Sequence, residues 1–397
     1  MIKQDRPTRD HRSRTKVIPA LMLGCLMALS ACSTSAPAKE SARSDARPGV
    51  TPELRQALAA GYKGSFDPPP ASGPKAVRGK TVWEISCGES FYACHAKSTA
   101  FKQAGTALGW HVVIQDGKAT ATTAAGLIRQ AIASKVDAVV VDSYDCPSIK
   151  SALLEAKAAH LPVANFDSAE CNDPVYGGKD PALFTFTTKV MDYARPADYW
   201  AAWAEARADY ISAHVAPGSK IVWLTEQSYL KEQVLGRAFT ARMAKDCPSC
   251  RIVESKYTFA QVPNPATQIW QTSIESNPDA SAVAYDVDSL MPAGLQGVLQ
   301  KTGRHDLLVG GGEGFPSNFD LIRSGLQTFA VAVPNEWPMW GTADDLNRVF
   351  AGVAPADLPS QGGGWQFVDA DHNLPAKGGY VTPVDYQKAY KAIWDGS

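Results

Sequence analysis

From Lys80 onward, short runs of β-branched residues alternate with longer stretches in which apolar residues return every three or four positions. KTVWEIS, HVVIQD, DAVVVDS and PVANFD read as strands. The stretches from about Phe91 to Leu108, through Leu127 and Ile128 to Ala133, and from Ser148 to Ala159 read as helices, with Phe91, Ala96, Phe101, Ala104 and Leu108 marking the buried stripe of the first. A short strand at Phe184 to Thr187 and a long amphipathic helix from Pro196 to His214 follow. A second series then runs KIVWLT, helix Leu230 to Ala244, RIVESKYTF, helix Ala266 to Glu275, SAVAYD, helix Pro292 to Thr302, DLLVGGG, helix Asn318 to Ser324, TFAVAV. Strand–helix alternation calls for a parallel sheet with crossover helices. Two such series form a weak internal repeat, so the expected fold class is α/β, with two doubly wound parallel-sheet lobes whose ligand-facing loops lie at the carboxyl ends of the strands.

The chain has 397 residues, 45% hydrophobic and 20% charged, enough to bury large cores and too apolar to be disordered. Lys3, Arg6, Arg9, Arg12, Arg14 and Lys16 precede an apolar run, Val17 to Ala31, that is short for a bilayer span, and together they read as a signal peptide over residues 1–31. Its end, Leu29-Ser30-Ala31-Cys32, resembles the lipobox of bacterial lipoproteins, which implies that Cys32 carries a lipid on the outer face of the cell membrane. Beyond it, 33 basic residues face 38 acidic ones, a net charge of −5 that argues against nucleic acid as a partner. A mean hydropathy of −0.18 and a single long apolar run exclude a polytopic membrane protein. The small, polar, Pro-containing composition of 32–76, including DPPPASGP, predicts a flexible tether.

Six cysteines remain in the exported part: Cys87, Cys94, Cys146, Cys171, Cys247 and Cys250. An even number outside the cytoplasm reads as disulfides. Proximity favours Cys87 with Cys94 and Cys146 with Cys171, although spacing alone leaves the connectivity open. Cys247-Pro-Ser-Cys250 ends a helical pattern, where a structural loop is expected rather than an activated thiolate. Cys87, Cys94 and His95 lack the fourth ligand of a closed zinc site, and no motif calls for a metal or a cofactor.

The strand-end loops are SCGESFY (86–92), DSYD (142–145), FDSAE (166–170), TEQS (225–228), DVDS (286–289), GGGEGF (310–315) and VPNEW (333–337). They are rich in carboxylates and aromatics, the mixture that meets the hydroxyls and flat C–H faces of a sugar ring or polyol. Asp, Ser and Glu also cap helix N-termini, so each acid has a structural reading beside the binding one. Gly310 to Gly312 has no Lys-Ser/Thr after it and reads as a tight turn rather than a phosphate cradle.

Over about Lys80 to Val349, the stretches DAVVVDSYD…IKSALLEAKAAHLPVANFD, AVAYDVDSLMPAGLQGVLQKTGR and LLVGGGEGF resemble the type 1 periplasmic binding proteins of the ribose and galactose kind. The resemblance implies a multi-strand hinge between the lobes, lobe 1 from 77–167 with 335–378, and lobe 2 from 168–334 with 379–397. It implies ligand contacts from Glu89, Phe91 and Tyr92 in the first loop, Asp145 after the third strand, and Asp288 and Glu313 in the second lobe. Ser168 and Gln233 stand where the ribose receptors place arginines, which disfavours ribose itself, and an excess of acids without arginine also suits a cationic ligand.

The implied function is a monomeric, lipid-anchored solute receptor that hands a sugar or polyol to an ABC permease and its ATPase. A lipoprotein that presents its ligand to a signalling receptor shares every one of these features. A DNA-binding regulator of the same fold needs a basic helix-turn-helix where this chain has its signal peptide and tether. A hydrolase is disfavoured by the absence of G-x-S-x-G and H-E-x-x-H motifs, so no catalytic residue is expected.

Overall fold

The computed structural model describes Arg47 and residues 49–396; the expected signal peptide over residues 1–31 and the expected lipid site Cys32 lie outside the described residues. In chain order the elements begin with α1 (Pro52–Lys63), β1 (Ser65–Asp67), β2 (Thr81–Ser86), α2 (Tyr92–Leu108), β3 (His111–Asp116) and α3 (Ala121–Ser134). There follow β4 (Ala138–Asp142), α4 (Cys146–Ala158), β5 (Val163–Phe166), β6 (Phe186–Thr187), α5 (Pro196–His214), β7 (Lys220–Glu226) and α6 (Leu230–Asp246). Next come β8 (Arg251–Tyr257), α7 (Ala266–Glu275), β9 (Ala280–Tyr285), α8 (Gln296–Thr302) and β10 (Leu308–Gly311). The last are α9 (Pro316–Arg323), β11 (Phe329–Ala332), α10 (Trp337–Phe350), β12 (Gly363–Asp369) and α11 (Tyr386–Asp395). No helix among the described residues is long and apolar enough to cross a membrane.

Two sheets form. The smaller is parallel throughout, in the order β3-β2-β4-β5-β6. The larger runs β1-β12-β11-β10-β9-β7-β8, parallel from β11 to β8, with β12 and β1 added antiparallel at one edge. Strand β4 shows why such strands read as unbroken apolar runs: Ala138 and Val140 enter the core under α2, α10 and α11, while Val139 and Val141 enter the core under α3 and α4. In the larger sheet α1, α5 and α6 cover one face and α7 and α8 the other. Gly310 and Gly311 are needed because the rings of Phe329 and Tyr285 pack where their side chains would stand.

Three departures from the sequence expectations have physical causes. Residues 49–76 are not a free tether: Thr51 caps α1, Leu54 and Leu58 are buried against α5, and β1 pairs with β12. The proline-rich stretch then crosses to the smaller sheet, where Ser72 O accepts from Arg348 Nη2 (2.6 Å) and Val77 N–H donates to Asn347 Oδ1 (2.8 Å). Second, β12, expected with lobe 1 as part of 335–378, takes its backbone partners from β11 in the larger sheet, whereas α11, expected with lobe 2, buries Tyr390, Ile393 and Trp394 beside α10. Third, β6, within the range expected for lobe 2, pairs with β5. The described chain therefore passes between the two sheets five times: after β1, β6, β11, α10 and β12.

Candidate functional site

The carboxyl ends of both sheets face one cavity of about 160 Å³. From the first lobe it receives Phe91, Lys97, Ser143, Tyr144, Asp145 and Asp167, and from the second Tyr229, Lys231, Glu232, Phe259, Ser289 and Glu313.

Disulfides shape the first-lobe wall. Cys87–Cys94 ties the β2–α2 loop, both cysteines line the cavity, and Phe91 stands between them at the start of α2, 42% exposed. Cys146–Cys171 joins the start of α4 to the loop after β5, so Asp145, the residue before Cys146, is held against that loop. The remaining bridge, Cys247–Cys250, closes the turn after α6, away from the cavity.

The charges are arranged in pairs. Lys97 Nζ lies 2.6 Å from Asp142 Oδ1, 3.2 Å from Ser143 Oγ and 3.6 Å from Asp167 Oδ2. Lys231 Nζ reaches across the cleft to the same Asp167 oxygen at 2.8 Å, and Trp200 Nε1 donates to Asp167 Oδ1 at 2.8 Å. Burial opposes ionisation of Asp167, but the ammonium groups of Lys231 and Lys97 outweigh it and hold this carboxyl below its ordinary range. Asp142, fully buried, is raised by desolvation in spite of Lys97. Glu232 is raised well above the ordinary carboxylate range, first by burial, which the attraction of Lys231 does not cancel.

The six expected contact residues are placed differently from one another. Phe91, Asp145 and Glu313 line the cavity. Asp145 also holds its own lobe together, accepting from Ala169 N–H (2.8 Å) and Tyr176 O–H (2.7 Å), and burial pushes its carboxyl up. Tyr92 sits beside it, its ring 4.6 Å from that of Phe315 on the opposite lobe. Glu89 and Asp288 are not among the lining residues. Glu89 bonds Ser98 Oγ (2.6 Å) and His95 Nδ1 (2.8 Å), and hydrogen bonds of this kind outweigh its partial burial and lower its pKa. Asp288 is completely buried and accepts from Gly314 N–H at 2.6 Å, while Glu313 Oε2 accepts from Asp288 N–H at 2.8 Å. Asp288 thus fixes the loop that presents Glu313.

Sequence reasoning confined to strand-end loops missed the lysines. Lys97 lies inside α2 on the face formed by Cys94, Lys97, Phe101, Ala104 and Leu108, where Ala96 was expected. A charged residue at an apolar position of an amphipathic helix was the available signal. Lys231 and Glu232 belong to the first turn of α6, and Phe259 follows β8. The acids expected without arginine have lysines beside them: no arginine is among the lining residues, but both ammonium groups stand at the cleft, each on an aspartate.

A family model described as a periplasmic binding protein domain matches residues 96–343. The chain belongs to this family. Periplasmic binding proteins are extracytoplasmic solute-binding components, not enzymes, and the two-sheet architecture with a cleft between is theirs. Solved structures with the same fold include an ABC transporter solute binding protein from Mycobacterium smegmatis with bound glycerol. It has 15% identity and a TM-score of 0.58 over 76% of this chain and 99% of that one. The arabinose-transporter binding protein of Shewanella sp. ANA-3, bound to α- and β-L-arabinofuranose, has 17% identity and a TM-score of 0.57 over 80% of this chain and 96% of that one. The periplasmic ribose ABC transporter protein of Conexibacter woesei has 14% identity and a TM-score of 0.58 over 76% of this chain and 95% of that one. No curated protein matches the sequence.

Proposed function

We propose that this periplasmic binding protein is a monomeric, lipid-anchored receptor that closes two lobes around a sugar or polyol and delivers it to an ABC permease driven by its ATPase. The observation that carries the reading is the cavity itself: aromatic rings and hydrogen-bonding carboxylates converge on it from the strand ends of both lobes. The polyol and furanose ligands of similarly folded receptors support the ligand class. Interlobe contacts such as Lys231–Asp167 and Tyr92–Phe315 support closure by hinge motion. The Leu29-Ser30-Ala31-Cys32 signature supports attachment through a lipid on Cys32.

A thermal-shift screen of monosaccharides, polyols and amines tests the ligand class, because ligand at 100 times its Kd stabilises by about 2.7 kcal/mol. Calorimetry on the hit with Asp145→Ala and Glu313→Ala should then show losses of about 1–3 kcal/mol each, roughly 5- to 150-fold in affinity. Wild-type affinity in both variants rules out the interlobe site. Cys32→Ala protein should leave the membrane fraction, and its retention there with lipid label contradicts the anchor.

A further inference from the structure

Four carboxylates, Asp145, Asp167, Glu232 and Glu313, and two ammonium groups, Lys97 and Lys231, line the cavity. Both ammonium groups are already engaged, Lys97 with Asp142 at 2.6 Å and Lys231 with Asp167 at 2.8 Å. Three of the carboxylates have donors: Asp167 the two lysines and Trp200, Asp145 the Ala169 N–H and Tyr176 O–H, and Glu313 the Asp288 N–H. Glu232 differs. It is only 6% exposed, and among the described residues no donor reaches its buried Oε2.

A buried carboxylate without a donor is costly, so burial favours the proton-bearing form of Glu232, and a cation placed against it is what favours ionisation. A ligand hydroxyl brings one donor and no charge, whereas an ammonium group brings three donors and the missing positive charge. Resting on the reading of the cleft as a sugar or polyol site, we infer that the ligand is an amino sugar or aminopolyol whose protonated amine is received by Glu232. The hydroxyls of the same ligand then fall to Asp145, Ser143, Ser289 and Glu313, and its apolar face to Phe91 and Phe259. An anionic sugar is disfavoured because neither lysine offers an unpaired charge.

The test is titration calorimetry of the full-length protein in detergent against matched pairs: D-glucosamine and D-glucose, D-galactosamine and D-galactose, D-mannosamine and D-mannose, glucamine and sorbitol. At least one amino member should bind about tenfold or more tighter than its neutral partner, and Glu232→Gln should abolish that preference, bringing the two members of the pair to similar affinity. If neutral members bind as well as or better than amino members, the amine assignment is overturned and the sugar reading stands. If the amine preference survives in Glu232→Gln, Glu232 is not its receiver. If no member of any pair binds, this inference falls together with the sugar reading. The wild-type pairs decide the amine question without any variant, so a poorly folding Glu232→Gln protein does not shield the proposal.

Discussion

At the residue scale, the site separates acids that look alike in sequence. Asp145 and Asp288 both follow parallel strands, yet one faces the cavity and the other is sealed beneath it. Strand-end acids serve loops as well as ligands because buried backbone N–H groups need acceptors, and Asp288 answers Gly314 in that way. The cost of this burial has a sign that can be measured. Asp288 is pushed up to about 7, first by burial and then by Glu313; Asp286 to about 6 and Asp209 to about 7, again first by burial. An unfolded aspartate releases its proton near ~3.9. Between that pH and about 7 the folded state therefore binds more protons than the unfolded one, so stability is greatest at the acid end of this window and falls as pH rises through it. The melting temperature should drop between pH 5 and pH 8, and Asp288→Asn should flatten the drop. A melting temperature that climbs through this range contradicts the assignment.

At the element scale, the parallel strands and their crossover helices were legible because their signal is local. DAVVVDS has to be buried on both faces, and the structure buries it so. What the pattern could not carry was nonlocal. Nothing within GGWQFVD says that it pairs antiparallel with β11, and nothing within PELRQALAAGYK, with its few large apolar residues, says that Leu54 and Leu58 have an apolar face of α5 to meet. Lys97 and Lys231 were hidden for a related reason, since they sit on helices and gain meaning only from Asp142 and Asp167 on other elements. The bridges make a graded prediction. Closing sequence separations of 25, 7 and 3 residues, they should contribute in the order Cys146–Cys171, Cys87–Cys94, Cys247–Cys250, about 3.5, 2.5 and 2 kcal/mol by chain entropy. Thermal melts of the three paired Cys→Ser variants check the order. Only the Cys87/Cys94 and Cys146/Cys171 variants should also weaken ligand binding, because their loops carry Phe91 and Asp145.

At the scale of the whole molecule, the segment 49–76 distinguishes this chain from the part matched by the family model, which begins at residue 96. It begins on the larger sheet as α1 and β1 and ends on the smaller one, adding a covalent crossing to the hinge. Were it a tether, Leu58→Ala would be neutral; packed against α5, it should lower stability by roughly 2–5 kcal/mol, read as a fall in denaturation midpoint at unchanged slope. Closure of two lobes on a ligand requires contacts that both lobes improve on closing. The most direct measurement is a crystal structure of the protein with the best ligand of the screen. Ligand density bounded by Phe91 and Asp145 on one side and by Glu232 and Glu313 on the other is the predicted result. Density held by one lobe alone, or lying outside this cleft, contradicts the account.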